Sequence, residues 1–312
     1  MYVLKRLSGT VNRSCKDYLR RTLTSTSTES KEVEEQKEKN ILVEFIEGVT
    51  TIGINRPDKK NSLDLATTQE LVQELEKFEN DENSFVGVLH GFGGNFCSGY
   101  DLKEISQYDG KNEEILPQFG PLADRIELSK KPLVAAIDGY AVGVGFELAL
   151  MCDMRVVDRT AIMGFLNRRF GIPILCGGTV RLPAMIGYSR AMEVILTGRA
   201  ISAEEAINWG LATKCVSPGT ALGNAATLAR SLVKFPQKTL LADRGSTHYA
   251  TFCAKQLEEA LQFEKDNSSH LVFEDGVEGA KRFVTEGLGK HGKFHNLTER
   301  NFTPRDLDKD LL

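Results

Sequence analysis

The chain has 312 residues, 41% of them hydrophobic and 26% charged, enough for one buried core of about 200–250 residues plus an appendage, or for two small domains. A formal net charge of −4 spread over the whole length argues against a dedicated nucleic-acid binder, which concentrates Lys and Arg against phosphate. No window approaches the ~20 uninterrupted apolar residues of a membrane span. The six cysteines contain no C-x-x-C pair and the five histidines are dispersed, so neither a disulfide framework nor a zinc or other metal site is indicated.

The first thirty residues, MYVLKRLSGTVNRSCKDYLRRTLTSTSTES, are basic, rich in Ser and Thr and poor in acids, the composition of a mitochondrial presequence. ESKEVEEQKEKN then reads as a solvated charged linker, so residues 1–38 stand apart from the folded chain. ILVEFIEGVTTIGINRP holds two β-prone runs around Glu47-Gly48, an opening hairpin ending at Pro57. DLATTQELVQELEKFENDEN has Leu65, Leu71, Leu75 and Phe78 near helical spacing. SFVGVLHG is a short buried strand, and a helix is expected near 116–128 before a second buried strand, KPLVAAIDGY. VGFELALMCD follows as a helix and MRVVDRTAIMG as extended chain. From Ser202 onwards the pattern is almost wholly helical, opening on a capping box of Ser202 with Glu205. Alternating strands and helices with short Gly/Pro punctuation argue for an α/β core over 39–230, followed by a helical region over 231–312.

Three stretches have the composition of a reaction site. GFGGNFCSGYDLKEI is a glycine-dense turn between a strand and a helix, which can aim backbone N–H groups at developing negative charge, or can simply be a turn. In DGYAVGVGFELALMCD, Glu147 is the only charged side chain between Asp138 and Asp153, and its apolar neighbours should raise its pKa towards the range useful for proton transfer. The alternative is a surface glutamate serving the helix dipole. The third, GFLNRRFGIP, places an asparagine and two arginines between apolar runs.

Together these residues resemble the crotonase (enoyl-CoA hydratase/isomerase) superfamily. NRPDKKNSL is similar to that family's N-R-P-x-x-x-N-A-L, and NFCSGYDLKEI to its F-x-x-G-x-D-[IL]-x-E. KPLVAAIDGYAVGVGFELALMCD is similar to its K-P-[VT]-[IV]-A-A-[IV]-x-G-x-[AC]-x-G-G-G-x-E-L-A-L-x-C-D, and the likeness runs from about Ile41 to Phe294. It implies a ClpP-like spiral of ββα units, a helical C-terminal region that packs subunits into homotrimers or dimers of trimers, and an acyl-CoA thioester substrate with no separate cofactor.

The resemblance also implies an oxyanion hole made by the N–H groups of Tyr100 and Val144, with Glu147 as a catalytic acid–base. It implies coenzyme A contacts from the loops around Ser62 and from Asp101, Leu102 and Lys103, with Lys290 or Lys293 near the nucleotide. Two departures stand out. Val144 replaces the family's usual glycine, and a β-branched residue adopts fewer backbone conformations. Where hydratases of this family hold water between two glutamates twenty residues apart, Glu147 matches the first and Asn167 occupies the second position. Asn167 cannot take a proton but can orient water. Arg168 and Arg169 are expected either to bind a second substrate carboxylate or lower the Glu147 pKa, or to face solvent or a subunit contact. The resulting expectation is a mitochondrial matrix enoyl-CoA hydratase-like lyase. The alternatives are a single-base isomerase, a decarboxylase of malonyl-type thioesters, and a catalytically weak acyl-CoA-binding homologue.

Overall fold

A computed structural model describes residues 39–107, Leu122 and residues 128–287. The expected presequence and linker, the expected helix near 116–128 except for Leu122 and Leu128, and Lys290 and Lys293 lie outside the described residues.

Strands β1 (Ile41–Ile46) and β2 (Val49–Ile54) form the expected antiparallel hairpin. Its two turn residues, Glu47 and Gly48, both have positive φ (53° and 82°), the backbone twist that suits a tight hairpin. Helix α1 (Leu65–Asn80) starts at Asp64, whose side chain accepts from the Thr67 N–H at 2.9 Å, and it buries Leu71, Leu75 and Phe78. β3 (Val86–Gly91), β4 (Leu133–Ile137), β6 (Met154–Asp158) and β9 (Lys214–Val216) continue the sheet in parallel, in the order β1-β2-β3-β4-β6-β9.

The parallel strands are apolar on both faces because both are covered. Val86, Val88, Val134, Ala136 and Val156 point to a face roofed by α7 (Ala221–Val233), whose Ala221, Ala225, Ala229 and Val233 recur every fourth residue. Their alternates Leu89, Leu133, Ala135, Ile137 and Val157 join the larger core beneath α1 and α3 (Val144–Met151).

KPLVAAIDGY is not one strand. After β4 the chain bends at Gly139, where φ is +54° and a Cβ would lie 2.4 Å from the Gly94 carbonyl oxygen. It then enters a second sheet of β5 (Tyr140–Val142), β7 (Ile162–Gly164) and β8 (Ile201–Ser202). MRVVDRTAIMG is likewise divided between β6 and β7. The small sheet carries Gly143 and the segment around Asn167 to the edge of the core, where the site forms.

Beyond Ser202 the described chain is almost wholly helical, as expected, and is interrupted only by β9, which at three residues is too short to leave a periodic signature. The capping box of Ser202 and Glu205 forms as read, at the start of α6 (Ala203–Asn208). Beyond α7, α8 (Gln237–Phe252) and α9 (Leu257–Ser268) pack together through Tyr249 stacked on Phe263 at 4.0 Å. Arg244 of α8 bonds Asp153 at 2.7 Å, and Asp153 in turn accepts from the Leu133 N–H at 2.8 Å, so one carboxylate ties β4, α3 and α8. α10 (Val277–Glu286) ends the described chain.

Asp138 follows β4 beside Asp158, the last residue of the neighbouring strand β6. Burial, together with the hydrogen bond and like charge of Asp158, raises the Asp138 pKa to about 6, against a weaker pull from the Gly219 N–H. A carboxyl group with a raised folded pKa adds stability that is complete below its unfolded value, 3.8, and is lost as pH rises through 6. Asp138→Asn should therefore raise the melting temperature at pH 8 by the equivalent of about 1 kcal/mol, a figure discounted for the group's partial exposure. The gain should vanish by about pH 4 in paired thermal melts.

Candidate functional site

Two loops meet to form the first half of the site. Arg56, just after β2, reaches Asp64 at 2.6 Å and Asp101 at 3.2 Å, and Lys59 bonds Asp101 at 3.0 Å. Burial alone would raise the Asp101 pKa, but Lys59, the Lys103 N–H and Arg56 hold it below the usual carboxylate range. Asn61, fully buried and with φ +57°, accepts from the Arg56 N–H at 2.8 Å and donates to the carbonyls of Phe92 (2.8 Å) and Asn95 (2.6 Å). These contacts clamp residues 97–101 between the 61–63 segment and β5. Leu63 donates to Gly99, Asp101 donates to Leu63, and Val142 donates to Cys97.

Gly99 (φ +101°) and Gly143 (φ +58°) lie face to face, and a Cβ on Gly143 would sit 3.6 Å from the Gly99 Cα. The close approach places Gly99, Tyr100, Gly143 and Val144 together in the wall of one cavity. Val144 is the first residue of α3, where an N–H has no acceptor within the helix. The valine itself is unstrained. The unusual backbone belongs to Gly143, and the Val144 side chain is buried in the core.

α3 carries Glu147 three residues further on, and it is 2% exposed. Its Oε1 accepts from the Cys176 N–H at 2.6 Å and the Gly178 N–H at 3.0 Å, at the start of α4 (Gly178–Ile186). Burial raises the Glu147 pKa, and the amides of Gly178, Cys176 and Leu175 together with the Arg181 charge act in the opposite direction. At its other end α3 is capped by the buried Arg155, which donates to the Ala149 (3.2 Å) and Cys152 (2.6 Å) carbonyls. The Tyr100 hydroxyl lies 3.4 Å from the Cys176 sulfur. Burial keeps the Tyr100 phenol protonated and pushes the Cys176 thiol up to about 12, so neither acts as an anion.

Asn167 lies in the short 3₁₀ turn Leu166–Phe170 after β7. Its Nδ2 donates to the Ile172 carbonyl at 2.7 Å and the Pro173 carbonyl at 3.4 Å, while Oδ1 is buried with no hydrogen-bond partner among the described residues. The side chain therefore cannot both accept from and donate to a water, as the sequence suggested. Only its acceptor remains.

Tyr100, Val144, Glu147 and Asn167 all line one cavity of about 210 Å³, otherwise walled largely by Val142, Leu166, Phe170, Ile172 and Pro173. Of the expected coenzyme A contacts, Leu102 lines it, but Ser62, Asp101 and Lys103 do not. Asp101 is committed to Arg56 and Lys59, the Ser62 carbonyl accepts from Arg56, and the Lys103 N–H caps onto Asp101. Arg168 is also corrected. Its Nε donates to the Ile195 carbonyl at 3.2 Å, on α5 (Tyr188–Thr197), and it does not line the cavity, whereas Arg169 and Lys60 do. No group of three or more metal-ligating side chains occurs among the described residues.

The sequence model for enoyl-CoA hydratase/isomerase matches residues 44–290. The chain belongs to this family. Among its relatives, a carnitinyl-CoA dehydratase from Escherichia coli is 33% identical, with 76% of this chain and 92% of that protein aligned. A probable mitochondrial enoyl-CoA hydratase from Dictyostelium discoideum is 32% identical over 76% of this chain and 84% of that protein. Among solved structures, an enoyl-CoA hydratase subunit from Geobacillus kaustophilus superposes with a TM-score of 0.74 at 35% identity, covering 80% of this chain and 96% of that one. The fold is thus the crotonase fold, and this family member is a hydratase-like lyase acting on enoyl-CoA thioesters.

Gly143 has φ 58° and ψ −129°, a combination that a residue with a Cβ reaches only under strain. Gly143→Ala should rotate the Val144 amide out of line. The expected loss in kcat is about 100-fold or more, the usual effect of removing one oxyanion donor. Steady-state kinetics, with circular dichroism to confirm the fold, checks this.

Proposed function

We propose that the protein hydrates 2-enoyl-CoA with a single general base, Glu147, and a water held between that carboxylate and the amide oxygen of Asn167. The observation that carries this reading is the buried, unpartnered Asn167 Oδ1 in a cavity shared with Glu147. A water giving one hydrogen to each oxygen turns its lone pairs towards the β-carbon of the enoyl group. Glu147 takes one proton as the oxygen bonds to that carbon. The electrons move to the thioester oxygen, held by the Tyr100 and Val144 amides, and the protonated Glu147 then returns the proton to the α-carbon. Water is consumed whole and the base is regenerated.

With crotonyl-CoA, Glu147→Gln should lower kcat by about 1,000-fold or more, read from the enoyl thioester absorbance. Asn167→Ala should lower kcat by about 10–100-fold with little change in KM, because the residue touches the water rather than the thioester. The kcat/KM profile of the natural protein should rise with pH through one ionisation above the ordinary carboxylate range, since Glu147 works as its anion and burial raises its pKa. Hydration at full rate in Glu147→Gln would overturn the mechanism.

Arg169 at the cavity wall supports a second reading, decarboxylation of a malonyl-type thioester, which turnover of malonyl-type against enoyl thioesters separates. The basic, acid-poor first thirty residues support import into the mitochondrial matrix. The solvent-facing apolar residues of the C-terminal helices, Leu257, Leu261 and Val284 among them, support assembly through that region, as a homotrimer or dimer of trimers.

A further inference from the structure

The carboxylate of Glu147 is gripped by a turn, and the turn is gripped by Arg181. This side chain lies on the first turn of α4, and its Nη1 donates to the Cys176 carbonyl at 2.7 Å. The N–H of the same Cys176 donates to Glu147 at 2.6 Å. Between them Gly177 has φ +86°, and a Cβ there would lie 2.3 Å from Nη1 and 3.1 Å from the guanidinium carbon. The space that any other residue would fill with its own side chain is occupied by the arginine. Arg181 makes no ion pair among the described residues, although burial disfavours its charge and the Glu147 carboxylate is the group that most favours it.

We propose that Arg181 is a positioning residue for the base, holding the 175–178 turn so that its amides bind and orient the Glu147 carboxylate. The inference rests on the reading of Glu147 as the general base. Arg181 touches neither the cavity nor the reacting atoms. It works through the turn and through its charge. The titratable groups in this neighbourhood are Tyr100 from the loop before α2 (Leu102–Ile105), Cys97 and Cys152 at its edges, Cys176 in the turn itself, and His248 of α8. Burial pushes the thiols of Cys97, Cys152 and Cys176 up to about 12, Tyr100 stays protonated, and His248 is lowered by burial and by the charges of Arg244 and Arg181. Arg181 is then the charge that acts on Glu147 across the working pH range, and it acts downwards.

The test is the pH dependence of kcat/KM for crotonyl-CoA in Arg181→Met, Arg181→Lys and Glu147→Gln, with melting temperature followed in parallel. In Arg181→Met the rising limb should move to higher pH by about one unit, because a cation that favours the carboxylate is gone, and the plateau should fall about 10-fold or more. Arg181→Lys keeps the charge without the planar fork, so its limb should lie between those of the natural protein and Arg181→Met. A limb unmoved in Arg181→Met, with only the plateau or the melting temperature lowered, overturns the proposal and leaves a structural role. Should Arg181→Met fail to fold, the position of the Arg181→Lys limb decides in the same way. Full activity in Glu147→Gln would instead refute the base itself, an outcome distinct from an unmoved limb.

Discussion

A carboxylate in an apolar helix has to be met by donors or it drives its own neutralisation, and the site is organised around that requirement at Glu147. Isolated burial of such a charge costs several kcal/mol or more, and amide donors offset this only when their direction is fixed. The donors here come from a different element, the turn leading into α4, so that turn has to sit against α3 within a few tenths of an ångström. Arg155 at the far end of α3 and Arg181 on α4 are both cations spent on backbone carbonyls rather than on carboxylates. Each leaves Glu147 as the anion that its surroundings must accommodate. The outcome is a carboxylate whose affinity for protons is held between two opposing influences, burial above and amides with Arg181 below.

The cavity mouth at Tyr100 and Val144 obeys a different constraint, contact between backbones. Two amides converge only if the chains bearing them approach without side chains between, and Gly99 and Gly143 supply that. Gly145 extends the same logic one step along: a Cβ there would fall 2.4 Å from the Cys97 carbonyl oxygen. The residue between these two glycines is free to be a valine, because its side chain turns into the core.

Much of this was legible in the chain itself. The hairpin, α1, the buried strands, the capping box and the polarity of Glu147 follow from local pattern, and the ordered motifs pointed to the family. What stayed hidden was hidden for physical reasons. β8 and β9 are shorter than any period. The division of KPLVAAIDGY between two sheets turns on one glycine whose conformation no composition reveals. Which of Arg168 and Arg169 lines the cavity was hidden because two adjacent residues of a 3₁₀ turn face different ways, and spacing cannot say which faces inward. Arg181 and the Cys176 amide were missed although Gly177-Gly178 before a helix was a usable signal of exposed N–H groups.

Asn167 carries a consequence for which residues this position can hold. Its amide nitrogen closes the 167–173 loop through Ile172 and Pro173, while its oxygen is left without a partner among the described residues. The two ends of one side chain thus stand in opposite situations. A glutamate at this position would supply acceptors where the loop needs a donor, setting its carboxylate against the Ile172 carbonyl. An acid could therefore be placed here only with a compensating change elsewhere in the loop, so the identity of this one side chain is locked to the path of the backbone around it.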